Sequence, residues 1–218
     1  QFREFVGDIK ARYEFVGYDS EDDATKVGIY DSSLLKPTLS FRGTVKLHGT
    51  NSSISYNDTN MWSQSKDNIL SIKEDNAGFC SFVEYRKEQF LKLFKQISTK
   101  FNIDTSKNSI VIYGEYAGKG IQKGVGVCNL PKSLFIFGVK IAPFDEDKDN
   151  YWLSDYSDLR DNDSNIYNIL DFKTYTIEID FNHPEKAMEL LDQYTLEVES
   201  ECPVAKQFGY DNTVGEGI

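Results

Sequence analysis

Leu134-Phe135-Ile136-Phe137-Gly138-Val139-Lys140-Ile141 limits the fold more than any other stretch of the chain. A strand with one solvated face alternates apolar and polar residues. This one is apolar on both faces, so its sheet must be covered on both sides. One cover can be read upstream. Phe79, Phe82, Val83, Phe90, Leu91, Phe94 and Ile97 recur at spacings of three and four with charged residues between them, which predicts one amphipathic helix over 79–97. Helical periodicity accounts for the phenylalanines as core, with no base-stacking role required.

Other elements follow from shorter signals. Ser53-Ile54-Ser55-Tyr56 alternates, Asn57-Asp58-Thr59-Asn60 is a turn, and Met61-Trp62-Ser63-Gln64-Ser65 resumes, which predicts a hairpin. Ser109 to Tyr116 reads as a strand running into Gly114-Glu115-Tyr116-Ala117-Gly118, and Tyr151-Trp152-Leu153 as a short strand. Asn182-His183-Pro184-Glu185 opens a helix with Ala187, Met188, Leu191, Tyr194 and Val198 along one face, which leaves His183 a cap residue rather than a ligand. Phe2, Phe5, Val6, Tyr13, Phe15, Val16 and Tyr18 are expected to pack on the domain, and the acidic run 19–23 to form a loop. Val214-Gly215-Glu216-Gly217-Ile218 reads as the start of a strand.

With 218 residues there is material for one sizeable core, and a single domain over 1–218 is expected. Hydrophobic residues make up 39% and aromatics 14%, the composition of a globular protein. No apolar run approaches the roughly 18 residues that cross a bilayer, and the first residues lack a signal-peptide pattern. An intracellular location is therefore expected, in the cytoplasm or in the host cell of a virus, as a monomer without membrane contact. Cys80, Cys128 and Cys202 are widely spaced and only His48 and His183 accompany them, so a structural zinc site is not expected.

The net charge of −11 opposes nucleic-acid binding, which draws on lysine and arginine. Its distribution is uneven. Residues 113–140 carry Lys119, Lys123, Lys132 and Lys140 against Glu115 alone, a net +3, whereas 145–163 carries eight acids and two bases, a net −6. A basic surface can coexist with an acidic remainder, although a solvated loop with incidental lysines explains the same numbers. The acidic spacing in 145–163 fits no calcium loop.

The chemistry centres on Thr44-Val45-Lys46-Leu47-His48-Gly49-Thr50-Asn51. Leu39, Phe41, Thr44 and Val45 have strand content, and Gly49-Thr50-Asn51 is turn chemistry that can aim backbone N–H groups at an anion. Desolvation and neighbouring cations favour the neutral amine of such a lysine, which is the nucleophilic form. From the octet alone, a surface lysine beside a hairpin turn remains open. His48, two positions on, shares a face with Lys46 if the strand continues, and an imidazole there can donate or accept a proton.

Lys46-Leu47-His48-Gly49-Thr50-Asn51 resembles the nucleotidyl-accepting lysine motif of the covalent nucleotidyltransferases, which include DNA ligases, RNA ligases and mRNA capping enzymes. Most DNA ligases and capping enzymes have Asp where His48 stands, and the His-Gly-Thr-Asn continuation is similar to the T4 RNA ligase 2-like branch. Ile112-Tyr113-Gly114-Glu115 resembles the third motif, whose glutamate takes the ribose hydroxyls, and Gly120-Ile121-Gln122-Lys123-Gly124-Val125 is similar to RNA ligase sequences. Leu134–Ile141 resembles the strand whose aromatic, here Phe137, stacks on adenine, with Gly138 where the family usually has Asp. Val214–Ile218 resembles the Glu-Gly motif.

The resemblance implies an α+β, ATP-grasp-like nucleotidyltransferase domain: antiparallel sheets with flanking helices around a nucleotide cleft. It implies an ATP-dependent RNA ligase that forms a lysine–AMP on Lys46, assisted by His48, and joins RNA with 5′-phosphate and 3′-hydroxyl ends. Nucleotide-binding residues would be Val45, Lys46, Gly49, Asn51, Lys66, Glu115, Phe137 and Glu216, with Glu216 also holding Mg²⁺ or Mn²⁺. Lys66 stands where the family commonly has Arg, so the bidentate fork is lost. The family's last motif, Lys-x-Lys on a following strand, does not appear after Gly217. The chain is expected to be C-terminally truncated, and by itself to bind ATP weakly and fail to adenylylate itself. An inactive nucleotide- or RNA-binding scaffold stays open beside the ligase, as do a DNA ligase and a capping-type enzyme.

Overall fold

The computed structural model describes residues 2–218, which divide into two compact units: residues 2–43 with 175–195, and residues 44–174 with 196–218. The first unit holds α1 (Phe2–Glu14), the antiparallel pair β1 (Phe15–Tyr18) and β2 (Gly28–Tyr30), β3 (Thr38–Thr44), and its partner β10 (Thr174–Asp180). α4 (Glu185–Ser200) begins in this unit. Phe5, Phe41 and Phe181 meet edge to face at 5.5 to 6.3 Å, with Phe181 fully buried and Phe5, expected to pack inward, 37% exposed. Lys36 and Glu14, both largely buried, pair at 2.9 Å. Tyr13, Phe15, Val16 and Tyr18, expected to pack inward, are exposed instead. A two-stranded ribbon has too little surface to bury both faces.

The second unit is built on a six-stranded sheet. β4 (Thr50–Tyr56) and β5 (Met61–Ser65) form the expected hairpin, and the order continues through β6 (Asn108–Ala117), β7 (Ser133–Pro143) and β8 (Tyr151–Trp152), all antiparallel. β9 (Ile166–Asn168) joins β7 in parallel. The fold class is α+β with antiparallel sheets and helices beside them, and among the described residues no helix is long and apolar enough to cross a membrane.

One face of this sheet carries the core. Ile54, Ile110, Ile112, Leu134, Ile136, Val139 and Ile141 pack there against Phe79, Phe82, Phe90, Phe94 and Ile97. On β7 the core-facing residues change from even to odd numbers. The cause is a β-bulge: Gly138 pairs with Tyr113 but Ile136 pairs with Gly114, so Phe137 is an extra residue on its strand. The bulge explains why β7 is apolar on both faces, since Phe135 and Phe137 stand on the face away from the helices.

The predicted 79–97 helix is two helices, α2 (Phe79–Tyr85) and α3 (Lys87–Phe101), separated at Arg86 (φ −119°, ψ 24°). Arg86 lies over the Phe82 ring at 3.9 Å and donates from Nε to the Ser164 carbonyl at 2.6 Å, which ties the chain at the break. The buried stripe keeps one helical period across the break, through Phe79, Phe82, Val83, Phe90, Leu93, Phe94 and Ile97, so Leu93 is buried and Leu91, expected on that face, is exposed. In the acidic stretch 145–163, Asp155 and Asp158 both accept from Lys100 on α3 at 2.8 and 3.0 Å.

Candidate functional site

Lys46 does not lie on a strand. β3 ends at Thr44, yet the in-and-out alternation runs on: Val45 and Leu47 are buried while Lys46 and His48 face outward. The segment is extended, and the Lys46 N–H donates to the Gly217 carbonyl at 2.9 Å. The C-terminal residues form no strand. They are held by single backbone bonds to separate segments, Gly126 N–H to the Val214 carbonyl and Gly215 N–H to the Val198 carbonyl, rather than by a ladder.

These two segments bring three functional groups together. The Lys46 ammonium is hydrogen-bonded to Oε1 of Glu216, and His48 Nδ1 is 3.2 Å from Oε2 of the same carboxylate. Lys46 and His48 thus share a face despite the end of the strand, both reaching the one Glu216 carboxylate. Glu115, on β6, accepts from the Gly49 N–H through Oε1 at 2.9 Å. Burial pushes its carboxyl above the usual range, against the Gly49 bond and the nearby Lys46 charge that favour the anion. A Cβ on Gly49 would lie 2.4 Å from the Tyr116 carbonyl oxygen, so only glycine lets the turn approach β6 closely enough for that bond.

These groups line a cavity of about 360 Å³, of the size that takes a small molecule. Val45, Lys46, His48, Gly49, Glu115, Phe137 and Glu216, all marked as site residues by the sequence, line it together. Asn51 and Lys66 do not. Asn51 is exposed on β4 directly opposite Glu115, and Lys66 is exposed in the turn closed by the Ser65 N–H bond to Asn68. Thr44, Leu47, Phe135 and Ile169 line the cavity without having been marked. Phe135 could have been found, since it precedes Phe137 by two and a strand period places both on one face. Ile169 carries no such signal.

The wall is two-sided: the partly exposed Phe137 offers aromatic surface, with the fully buried Phe135 behind it, and Lys46, His48, Glu115 and Glu216 offer charge and hydrogen bonds. Glu216 suits Mg²⁺, which takes one or two carboxylates and completes its shell with water and substrate phosphates.

No protein of curated function matches the sequence. Among solved structures, a chain described as Naegleria gruberi RNA ligase with PPi is similar at a TM-score of 0.47 and 16% identity, over 79% of this chain and 44% of that one. This chain thus spans less than half the length of that ligase. The sequence model of the family described as RNA ligase matches residues 40–218, well over half of the sequence, and the chain belongs to the RNA ligase family.

Proposed function

We propose that this chain carries the adenylylation chemistry of an ATP-dependent RNA ligase, with Lys46 as the nucleophile. The observation that carries the reading is the convergence of Lys46, His48, Glu115, Phe137 and Glu216 on one cavity from segments far apart in sequence. Adenine would lie against Phe137, the ribose hydroxyls would donate to Glu115, and the α-phosphate would lie beside Lys46 and the Gly49 turn. Val45 shapes the floor, and Asn51 and Lys66 would reach the phosphates from outside the cavity lining. Glu216 and the phosphates together would hold Mg²⁺, which supplies neutralisation of phosphate charge.

Three displacements at phosphorus follow. The lone pair of Lys46 Nζ attacks the α-phosphorus, the bond to the bridging oxygen breaks, pyrophosphate leaves, and the amine loses a proton, giving a P–N bond to AMP. A 5′-phosphate oxygen of RNA then attacks that phosphorus, the P–N bond breaks, and Lys46 recovers a proton. Finally the 3′-hydroxyl attacks the activated 5′-phosphate, losing its proton as AMP departs. His48, beside Glu216, can take or return protons in these steps.

The resting ion pair sets a condition on the first step. An ammonium has no lone pair, so before it attacks Lys46 must give up a proton, for which the Glu216 carboxylate bonded to it and His48 beside that carboxylate are the acceptors at hand. The test uses α-labelled ATP or GTP with Mg²⁺ on the full-length protein. Label from ATP that passes to 5′-phosphorylated RNA is the expected result. Label from GTP would mark a capping-type enzyme, and none from either would leave a binding scaffold.

A further inference from the structure

We propose that a second cavity, of about 610 Å³ between the 120–129 loop and residues 212–214, holds the RNA strand beside the nucleotide cavity. The inference rests on the ligase reading for the identity of the strand. Its lining bears Lys123 and the neutral amides Gln122, Asn129 and Asn212, together with Thr213, and no carboxylate. In a chain of net charge −11 that composition is unusual, and it falls in the stretch 113–140 where lysines outnumber acids.

Lys123 is exposed and, among the described residues, enters no ion pair, so its charge is available to a phosphodiester. Gly120 and Gly124, both in the left-handed region (φ +84° and +92°), leave the loop backbone bare where a sugar–phosphate chain can approach. Amides and a hydroxyl can bond both phosphate oxygens and 2′-hydroxyls.

Two links join this cavity to the first. Gln122 Nε2 donates to the Gly49 carbonyl at 3.3 Å, and Val214, on its wall, lies two residues before Glu216. A strand lying along the 120–129 loop would therefore present its end toward Lys46. A second ATP molecule is a poorer fit, because no aromatic ring lines the cavity to stack on its base.

Cys128 provides the readout. It lines this cavity and is partly exposed, whereas Cys80 and Cys202 are buried, so a maleimide should label Cys128 first. A short single-stranded RNA should slow that labelling severalfold, and ATP should not. Lys123→Glu should weaken RNA binding about tenfold at low salt and lower the salt slope by about one, without changing the melting temperature. Protection by ATP instead of RNA, RNA binding that leaves Cys128 fully reactive, or no RNA binding at all would overturn the site. Failure of the ligase reading shows separately: the AMP adduct is missing while RNA still protects Cys128, an outcome that upholds the RNA site.

Discussion

The Lys46 ammonium and the Glu216 carboxylate are bonded to each other across 170 positions of sequence. Both are partly exposed, with side chains 56% and 28% accessible, so the pair adds at most about 1 kcal/mol to stability. Its value lies in placement. Glu216→Gln should leave the melting temperature nearly unchanged while lowering AMP transfer about 10²-fold or more, the loss typical of a charge-stabilising group. Thermal melting and single-turnover labelling, run on the same preparation, check both halves.

Glu115 is read as the acceptor for the ribose hydroxyls. Losing a charged hydrogen bond costs about 1.5–3 kcal/mol, so Glu115→Ala should weaken reaction with ATP roughly 10- to 100-fold and reaction with dATP much less. Equal losses with both nucleotides would remove the ribose role. Its effect on stability has the opposite sign to its effect on function. Because burial raises the folded value, ionisation costs stability as pH rises, and Glu115→Gln should be no less stable than the parent at pH 8.

His48 shares the carboxylate of Glu216 with Lys46. If it handles protons during transfer to RNA, His48→Ala should still form lysine–AMP but fail to activate or seal RNA. Single-turnover rates of each step, with a melting curve, decide it. Unchanged sealing with a lowered melting temperature would make His48 a turn residue only.

Asp75 provides a test of the fold independent of chemistry. It accepts from the N–H groups of Cys80 and Ser81 in the first turn of α2 at 2.7 and 3.0 Å, and from the Ser81 hydroxyl at 2.9 Å. Burial pushes its carboxyl up, but those three bonds and a fourth from the Asn76 backbone together outweigh it, and the folded value lies below the ordinary one. Its stabilisation is therefore fully present above the unfolded value of about 3.9 and is lost as pH falls through the folded value. Asp75→Ala should cost about 1 kcal/mol at pH 7, and the gap in melting temperature between variant and parent should close in acid.

Local periodicity carried much of the fold into the sequence. The hairpin at 53–65, β6, β7 and the short β8 were readable because each follows a two-residue period or an apolar run bounded by turns, whereas Thr50 and Asn51, read as a turn, begin β4. The break at Arg86 was not, because it depends on a bond to Ser164, a residue distant in sequence. The same limit applies to the site. Lys46, Glu115 and Glu216 stand out by the residues beside them, but Ile169 reaches the cavity only through the parallel pairing of β9 with β7. The exposure of Phe15, Val16 and Tyr18 also escaped, since aromatic content does not reveal that a two-stranded ribbon leaves side chains uncovered.

The central claim is that Lys46 is the nucleophile, and peptide mapping of the labelled protein tests it most directly. After reaction of the full-length protein with α-labelled ATP and Mg²⁺, the account predicts one modified peptide, bearing AMP on Lys46 through an acid-labile P–N bond and absent from Lys46→Ala. Label on another residue, or label that persists in Lys46→Ala, would contradict it.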